Sequence, residues 1–378
     1  MKNKKVLMAE SSDIYHDSRV QKEAISLSNN GYKVIVLGFR SKLKVKVKNK
    51  FIFFLFTLPI FSRKYRLFRN ISIVLNIVLI NSIIILKKAN FYHAHNTMFL
   101  FGMFVSSVIH KNSKLIYDCH EVQEDTGRIH EKLERLFINR FDSIINVSKE
   151  RAQYQAKKYD IPLKTFTILF NYPNLPKNIS VNIKSNNILH FVFSGSFDLS
   201  KNRLDNFLIA IKDYADIRFT LFSKADSCDF LKLQNIVEEF GLESQVKLLP
   251  LLATNELLVN LLKFDFAVNM ITNPHNLISY RYPAMNKMYE YLAAGLPILC
   301  SNIPFFEEEF VKRGVAFSVN PIDVLSIEEG LKFIRDNLHK IYSIKMRALE
   351  LSKLYFNWKT QETKLLYLYK NLCKGGLS

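Results

Sequence analysis

Residues 279–302 read SYRYPAMNKMYEYLAAGLPILCSN, and the rest of the fold can be worked out from them in both directions. Pro283 suits the first turn of a helix, Gly295 the position just past its end, and Pro297 the stop that follows. The pattern predicts a helix over 283–294 that feeds a buried strand, PILCSN. The first turn of such a helix leaves backbone N–H groups unpaired at the positive end of the macrodipole, a place for a phosphate. Glu290 falls four residues after Asn286 and three after Lys287, so the three occupy neighbouring positions of one face. A carboxylate there can accept hydrogen bonds from two vicinal ribose hydroxyls while the helix end holds a diphosphate. The same spacing also describes a surface helix in which Glu290 merely pairs with Lys287. Spacing alone leaves both readings open.

On either side of this unit, strand-like and helix-like stretches alternate, the pattern of parallel sheets covered by helices. In the first half KKVLMAE, KVIVLGF, NFYHAH, KLIYDCHE and SIINVS read as strands, and HDSRVQKEAISLSNNG as a helix closed by Gly31. The last three strands end in polar residues, and open α/β sheets bind ligands at the carboxyl ends of their strands. Residues 170–188 break the pattern with NYPNLPKNISVNIKSNN, a linker by composition. A second alternating series follows: ILHFVFSGSF, IRFTLFSK, QVKLLP, DFAVNMI, LPILCSN and GVAFSV. The expectation is an α/β protein with two Rossmann-like βα domains in series, 1–172 and 173–354. The final stretch, LYFNWKTQETKLLYLYKNL, is an amphipathic helix that carries the only tryptophan, Trp358.

Composition sets the outer limits. A chain of 378 residues is long enough for two cores, and 48% hydrophobic with 23% charged residues is a globular balance. Cys119, Cys228, Cys300 and Cys373 have neither disulfide-framework nor metal-ligand spacing, which fits a reducing compartment. The opening MKNKKVLMAESSD runs straight into a strand without a signal-peptide cleavage site, which predicts a cytoplasmic chain. The net charge of +19 is distributed unevenly: from Ala24 to Tyr117 there are fifteen Lys and Arg and no Asp or Glu. In KLKVKVKNKFIFFLFTLPIFSRKYRLFRN the bases interleave with large hydrophobes. That mixture suits an anionic membrane surface better than a nucleic acid, although a basic loop beside a buried helix has the same composition. The apolar runs 51–61 and 71–86 fall short of the roughly 20 residues a span needs, and Asn76 and Asn81 interrupt the second. That second run reads as a core helix with one membrane-facing or domain-facing side.

The stretch PAMNKMYEYLAAGLPILCSN resembles the donor-binding signature of glycosyltransferase family 4, whose members have the GT-B fold: two Rossmann-like βα domains facing each other across a cleft. The resemblance implies that Glu290 binds the donor ribose, with Asn286 and Lys287 beside it. The acidic residue that the family often carries eight positions earlier is replaced by Tyr282. FVFSGSFDLSKNRLDNFLIAI resembles the family's phosphate loop; Lys201 takes its lysine position, Ser196 stands where many members have arginine, and Arg203 is the expected substitute. LIYDCHE resembles a cleft-facing strand end, with His120 at the place of an active-site histidine and Glu121 beside it. HDSRVQKEA resembles the opening of the first helix, which implies Asp17 and Arg19 at the cleft end, Asp17 with the catalytic residues His120 and Glu121 and Arg19 toward the donor; Asp17 is equally well placed as a plain N-cap. FNWKTQETKLLYLY resembles the helix, about 355–378, that crosses back onto the first domain. His95 and Asn96 would then line the acceptor side.

The resemblance implies a transferase that takes a sugar from a nucleotide diphosphate, UDP- or GDP-linked, with retention of configuration. The basic, apolar surface points to a lipid-linked or saccharide acceptor, with the chain attached peripherally to the inner face of the membrane. There is no D-x-D motif, no G-x-G-x-x-G after the first strand and no P-loop. Phosphate charge should therefore be met by Lys201, Arg203 and helix N-termini rather than by a metal or other cofactor. Two alternatives share the architecture: a nucleotide-sugar 2-epimerase, and an inactive transferase-like partner protein.

Overall fold

The computed structural model describes residues 3–14, 17–39, 52–56, 66–124, 128–175, 188–224, 228–252, 254–272, 277–283 and 285–374. It divides into two units, Met1–Asn171 with Lys359–Ser378, and Tyr172–Trp358. The first contains strands β1 (Lys5–Asp13), β2 (Lys33–Phe39), β3 (Ile52–Phe56), β4 (Phe91–Ala94), β5 (Lys114–Asp118), β6 (Ser143–Asn146) and β7 (Phe166–Ile168). They form one parallel sheet in the order β3-β2-β1-β4-β5-β6-β7. The second unit contains β8 (Leu189–Ser194), β9 (Ile217–Ser223), β10 (Val246–Pro250), β11 (Phe266–Asn269), β12 (Ile298–Ser301) and β13 (Ala316–Val319). Its sheet, also parallel, runs β10-β9-β8-β11-β12-β13. Both sheets change winding direction between their first and fourth strands, the doubly wound order whose ligands sit at the carboxyl ends of the strands.

Helices cover these sheets, so β4, β6, β11 and β12 are buried along their whole length and are mostly apolar or small, with His93, Asn146 and Asn269 as their buried polar exceptions. Leu7, Ala9, Tyr92, Leu115 and Ile144 centre the first core; Phe191, Phe193, Phe219, Leu221 and Phe266 centre the second. The C-terminal helix Trp358–Cys373 belongs to the first unit from Lys359 onward. Its Tyr369 ring packs 4.8 Å from Phe91 and 5.5 Å from Tyr32.

Three elements differ from expectation. The helix expected from Pro283 starts at Asn286; a separate turn, Ile278–Arg281, precedes it, and Pro283 lies between the two. Its far end is as expected. Gly295, at φ +70°, places its N–H on Leu292 O and the next N–H on Tyr291 O, closing the last turn. The apolar run 51–61 supplies β3, an edge strand, and β7 adds a seventh strand that its short sequence had concealed. Residues 40–51 and 57–65 of the basic stretch, and 176–187 of the linker, lie outside the described residues.

Candidate functional site

In the second unit, β8 is followed directly by Gly195, whose φ of +124° only glycine adopts without strain. A Cβ there would come within 3.3 Å of the Lys287 Nζ. That ammonium lies 3.9 Å from the centre of the Phe193 ring, a cation–π contact. Burial lowers its pKa to about 8, against the Coulombic pull of Glu290. Tyr291 Oη accepts the Ser194 N–H at 2.9 Å and so ties the helix Asn286–Ala293 to the strand end. Met285 occupies the N-cap of this helix and offers no side-chain acceptor to its first N–H groups.

Lys287 and half-buried Glu290 therefore share a helix beside Gly195, with Asn286 exposed in its first turn. Ser196 is exposed in the loop that leaves Gly195. That loop is laid against the end of β11: Arg203 N–H bonds Met270 O at 2.7 Å, and Thr272 N–H bonds Lys201 O at 2.7 Å. The Lys201 Nζ stands 3.5 Å from Asp198 and 5.6 Å over the Tyr280 ring. Arg203, the expected substitute cation, turns onto Asp205 through two 3.0 Å bonds and onto Asn206 through a third. Among the described residues, the ammonium that borders Gly195 is that of Lys287.

In the first unit, a pocket of about 170 Å³ opens among Glu10, Asp17, His95, Asn96, Thr97, His120, Glu121 and neighbours. Strand ends bring these together. The register pairs Ala94 with Tyr117, so His95 and Asp118 are the next step on β4 and β5. Asp17 is a true N-cap: its Oδ1 accepts the N–H of Arg19 at 3.0 Å and of Val20 at 3.1 Å. Asn96 likewise caps a short turn, accepting the Met98 N–H at 3.0 Å. Glu121 is exposed, with one carboxylate oxygen 3.3 Å from Arg151.

Arg19, expected at the donor, lies in this unit beneath the pocket. Its Nε and Nη2 donate to the two oxygens of Asp118 at 2.6 and 2.7 Å, and its Nη1 donates to Leu169 O at 2.9 Å. The bidentate pair is buried. Asp118 Oδ2 also lies 3.2 Å from His95 Nδ1 and 3.3 Å from His120 Nε2. Burial works to raise the Asp118 pKa, yet Arg19 and His120 hold it well below the carboxylate range. Burial works to lower His120, but Asp118 outweighs it and leaves the imidazole above its usual value. Burial keeps His95 low, despite the bond to Asp118.

One step deeper, His93 stacks on His95 at 4.3 Å and shares a 2.8 Å hydrogen bond between its Nδ1 and Tyr369 Oη. Burial, with Asp118 adding to it, pushes Glu23 well above the usual range; burial holds His93 well below. Glu23, His93, His95 and Asp118 bring ligand atoms within 4.8 Å of one another. A cation already serves this quartet: the Arg19 guanidinium meets Asp118 directly and lies 3.3 Å from Glu23. Sequence reasoning passed over Asp118, His93 and Glu23. The signal was there, in two adjacent strand ends reading His-x-His and Asp-x-His, which put each pair on one face.

No family model matches the chain, and no curated relative does. Solved structures do. Sucrose-phosphate synthase from Thermosynechococcus elongatus superposes with a TM-score of 0.75 at 14% identity, over 99% of this chain and 100% of that one. HepE from Anabaena, in complex with UDP and glucose, gives 0.71 at 15% identity over 97% and 100%. WaaG, a glycosyltransferase involved in lipopolysaccharide biosynthesis, gives 0.67 at 12% identity over 95% and 98%. The chain therefore has the GT-B fold, with two Rossmann-like domains.

Proposed function

We propose that the chain is a nucleotide-sugar-dependent glycosyltransferase of the family 4 type, transferring a hexose from UDP or GDP with retention of configuration. The observation that carries the reading is the pairing of Lys287 with Gly195 at the end of β8, one helical turn from Glu290. A bare backbone, a half-desolvated ammonium and an uncapped helix start meet there, as a diphosphate requires, and Glu290 follows at ribose distance along the helix. HepE binds UDP and glucose, and WaaG acts in lipopolysaccharide synthesis; both are consistent with a UDP-sugar and a lipid-linked or saccharide acceptor here. His120, Asp17, Glu121, His95 and Asn96 would serve the sugar-transfer and acceptor side. The exposed apolar residues of the helix Arg66–Leu86 and the acid-free stretch around it favour attachment to the inner, anionic face of a membrane. Glu290→Ala should weaken nucleoside diphosphate binding by about 1.5–3 kcal/mol, the size of a hydrogen bond to a charged group. Calorimetry after a thermal-shift screen of nucleotide sugars tests it, and unchanged affinity would remove the ribose role. Sugar released without an acceptor-linked product would favour the epimerase.

A further inference from the structure

The Arg19–Asp118 pair sits beneath the pocket of the first unit, where apolar residues could have filled the space. Its geometry has a consequence at the pocket floor. Both Asp118 oxygens are held by Arg19, at 2.6 and 2.7 Å, so the carboxylate cannot rotate. The same Oδ2 stands 3.3 Å from His120 Nε2, and His95 Nδ1 is 3.1 Å from that nitrogen. The Nε2 edge of His120 is therefore fixed inward, and Nδ1 is the nitrogen left toward the pocket. Charged groups face the ring from every neighbouring element: Asp118 from β5, Arg19 and its cap Asp17 from the first helix, Glu10 from β1, and uncharged His95 from the end of β4. Three carboxylates against one guanidinium favour a proton on the ring.

We infer that Asp118 is the positioning residue of this site, and that through it His120 acts as a cationic hydrogen-bond donor toward substrate oxygens, not as a proton acceptor. With Nε2–H taken by Asp118, a neutral ring would turn its Nδ1 lone pair to the pocket as a general base does; Asp118, Asp17 and Glu10 around the ring favour the protonated form, which has none there. Here an imidazolium offers Nδ1–H to a sugar hydroxyl or phosphate oxygen while Asp118 takes Nε2–H. The second half of this inference rests on the proposed sugar-transfer role of the pocket.

The full chain, labelled at its histidine rings, gives the test. His120→Gln assigns the His120 signal, and an NMR titration follows it. Asp118→Asn keeps the shape and removes the charge; the His120 midpoint should fall by about one pH unit or more, back toward or below the ordinary ~6.5. In the wild type, turnover should fall as pH rises through the His120 midpoint, and in Asp118→Asn that fall should begin at correspondingly lower pH. If Asp118→Asn does not fold, the wild-type titration and pH profile still decide. A His120 midpoint below the usual histidine value, or turnover that rises through it, would overturn the inference. Turnover untouched by His120→Gln at every pH would instead sink the sugar-transfer reading of the pocket, while an unmoved midpoint in folded Asp118→Asn would sink the assignment of Asp118 alone.

Discussion

The Lys287 ammonium, 3.9 Å over Phe193 beside Gly195, has two opposing effects on the protein. Its folded pKa of about 8 lies below the ~10.4 of a free lysine, so the unfolded chain binds more protons between those values. Stability should then rise with pH across roughly 8 to 10, and Lys287→Met should stabilise the protein at pH 7. Allowing for partial exposure, that gain is about 1–2 kcal/mol, measurable as a shifted denaturation midpoint. Nucleoside diphosphate affinity should move the other way, weakening in Lys287→Met and, in the wild type, above pH 8. Equal affinity at pH 7 and pH 9.5 would remove Lys287 from the phosphate. Because side-chain cations are assigned to this charge, turnover is expected to persist in excess EDTA; loss restored by Mg²⁺ or Mn²⁺ would show the assignment to be wrong. Glu290, Lys287 and His120 stood out in the sequence because they occupy positions of a motif. Asp118 did not: the local Asp-x-His spacing puts it on the face of His120, but its partner Arg19 lies 99 positions away, so the buried ion pair itself has no local mark.

At the level of elements, the helix Arg66–Leu86 is the instructive one. The sequence predicts a core helix, interrupted by Asn76 and Asn81, with one membrane-facing or domain-facing side. In the structure Ser72 and Asn76 face inward with Ile80 and Ile84, while Ile71, Val74, Leu75 and Val78 face out. Asn81 is a clasp: its Oδ1 accepts the Gly102 N–H at 3.1 Å, and its Nδ2 donates to Ile77 O and Met98 O. Gly102, on the helix Leu100–Ile109, lets the two helices touch, since a Cβ there would meet Asn81 Oδ1 at 2.3 Å. Gly102→Ala should therefore cost stability, although alanine is the better helix former. The expected loss is about 1–3 kcal/mol from overpacking and a displaced hydrogen bond, read from chemical denaturation. A gain would mean that the contact yields freely. Strands β1, β2, β4–β6, β8, β9 and β11–β13 were legible because mostly buried parallel strands are largely apolar runs, and β10, a largely exposed edge strand, because Val246, Leu248 and Leu249 still make a short apolar run. The start of the helix at Asn286 was not, because proline at 283 is compatible with either a first turn or a break.

Across the whole molecule, charge and apolar exposure coincide in one part of the chain. No Asp or Glu occurs from Ala24 to Tyr117, a range that contains the outward-facing Ile71, Val74, Leu75, Val78 and Leu79. Lys87 and Lys88 follow that helix directly and are exposed. Lys42, Lys44, Lys46, Lys48 and Lys50 precede it, outside the described residues. Among the described residues no helix is long and apolar enough to cross a membrane. An exposed apolar face flanked by bases is what the membrane attachment proposed above requires of this helix. Each base near an anionic surface contributes about 1 kcal/mol, so half of them would suffice to hold the chain there. High salt shortens the Debye length to roughly 3 Å at 1 M and should release part of the protein, while the apolar contacts resist. The expected result is co-sedimentation with anionic vesicles, little with neutral ones, and partial release by salt. Changing Lys42, Lys44, Lys46 and Lys48 together to Glu should abolish most binding. Val74→Glu with Val78→Glu should remove the salt-resistant remainder; both positions are exposed, so stability should change by no more than about 0.5 kcal/mol per site. Nucleoside diphosphate affinity should be unchanged in either variant. Equal binding to neutral and anionic vesicles, or none to either, would mean that this surface serves something other than a membrane.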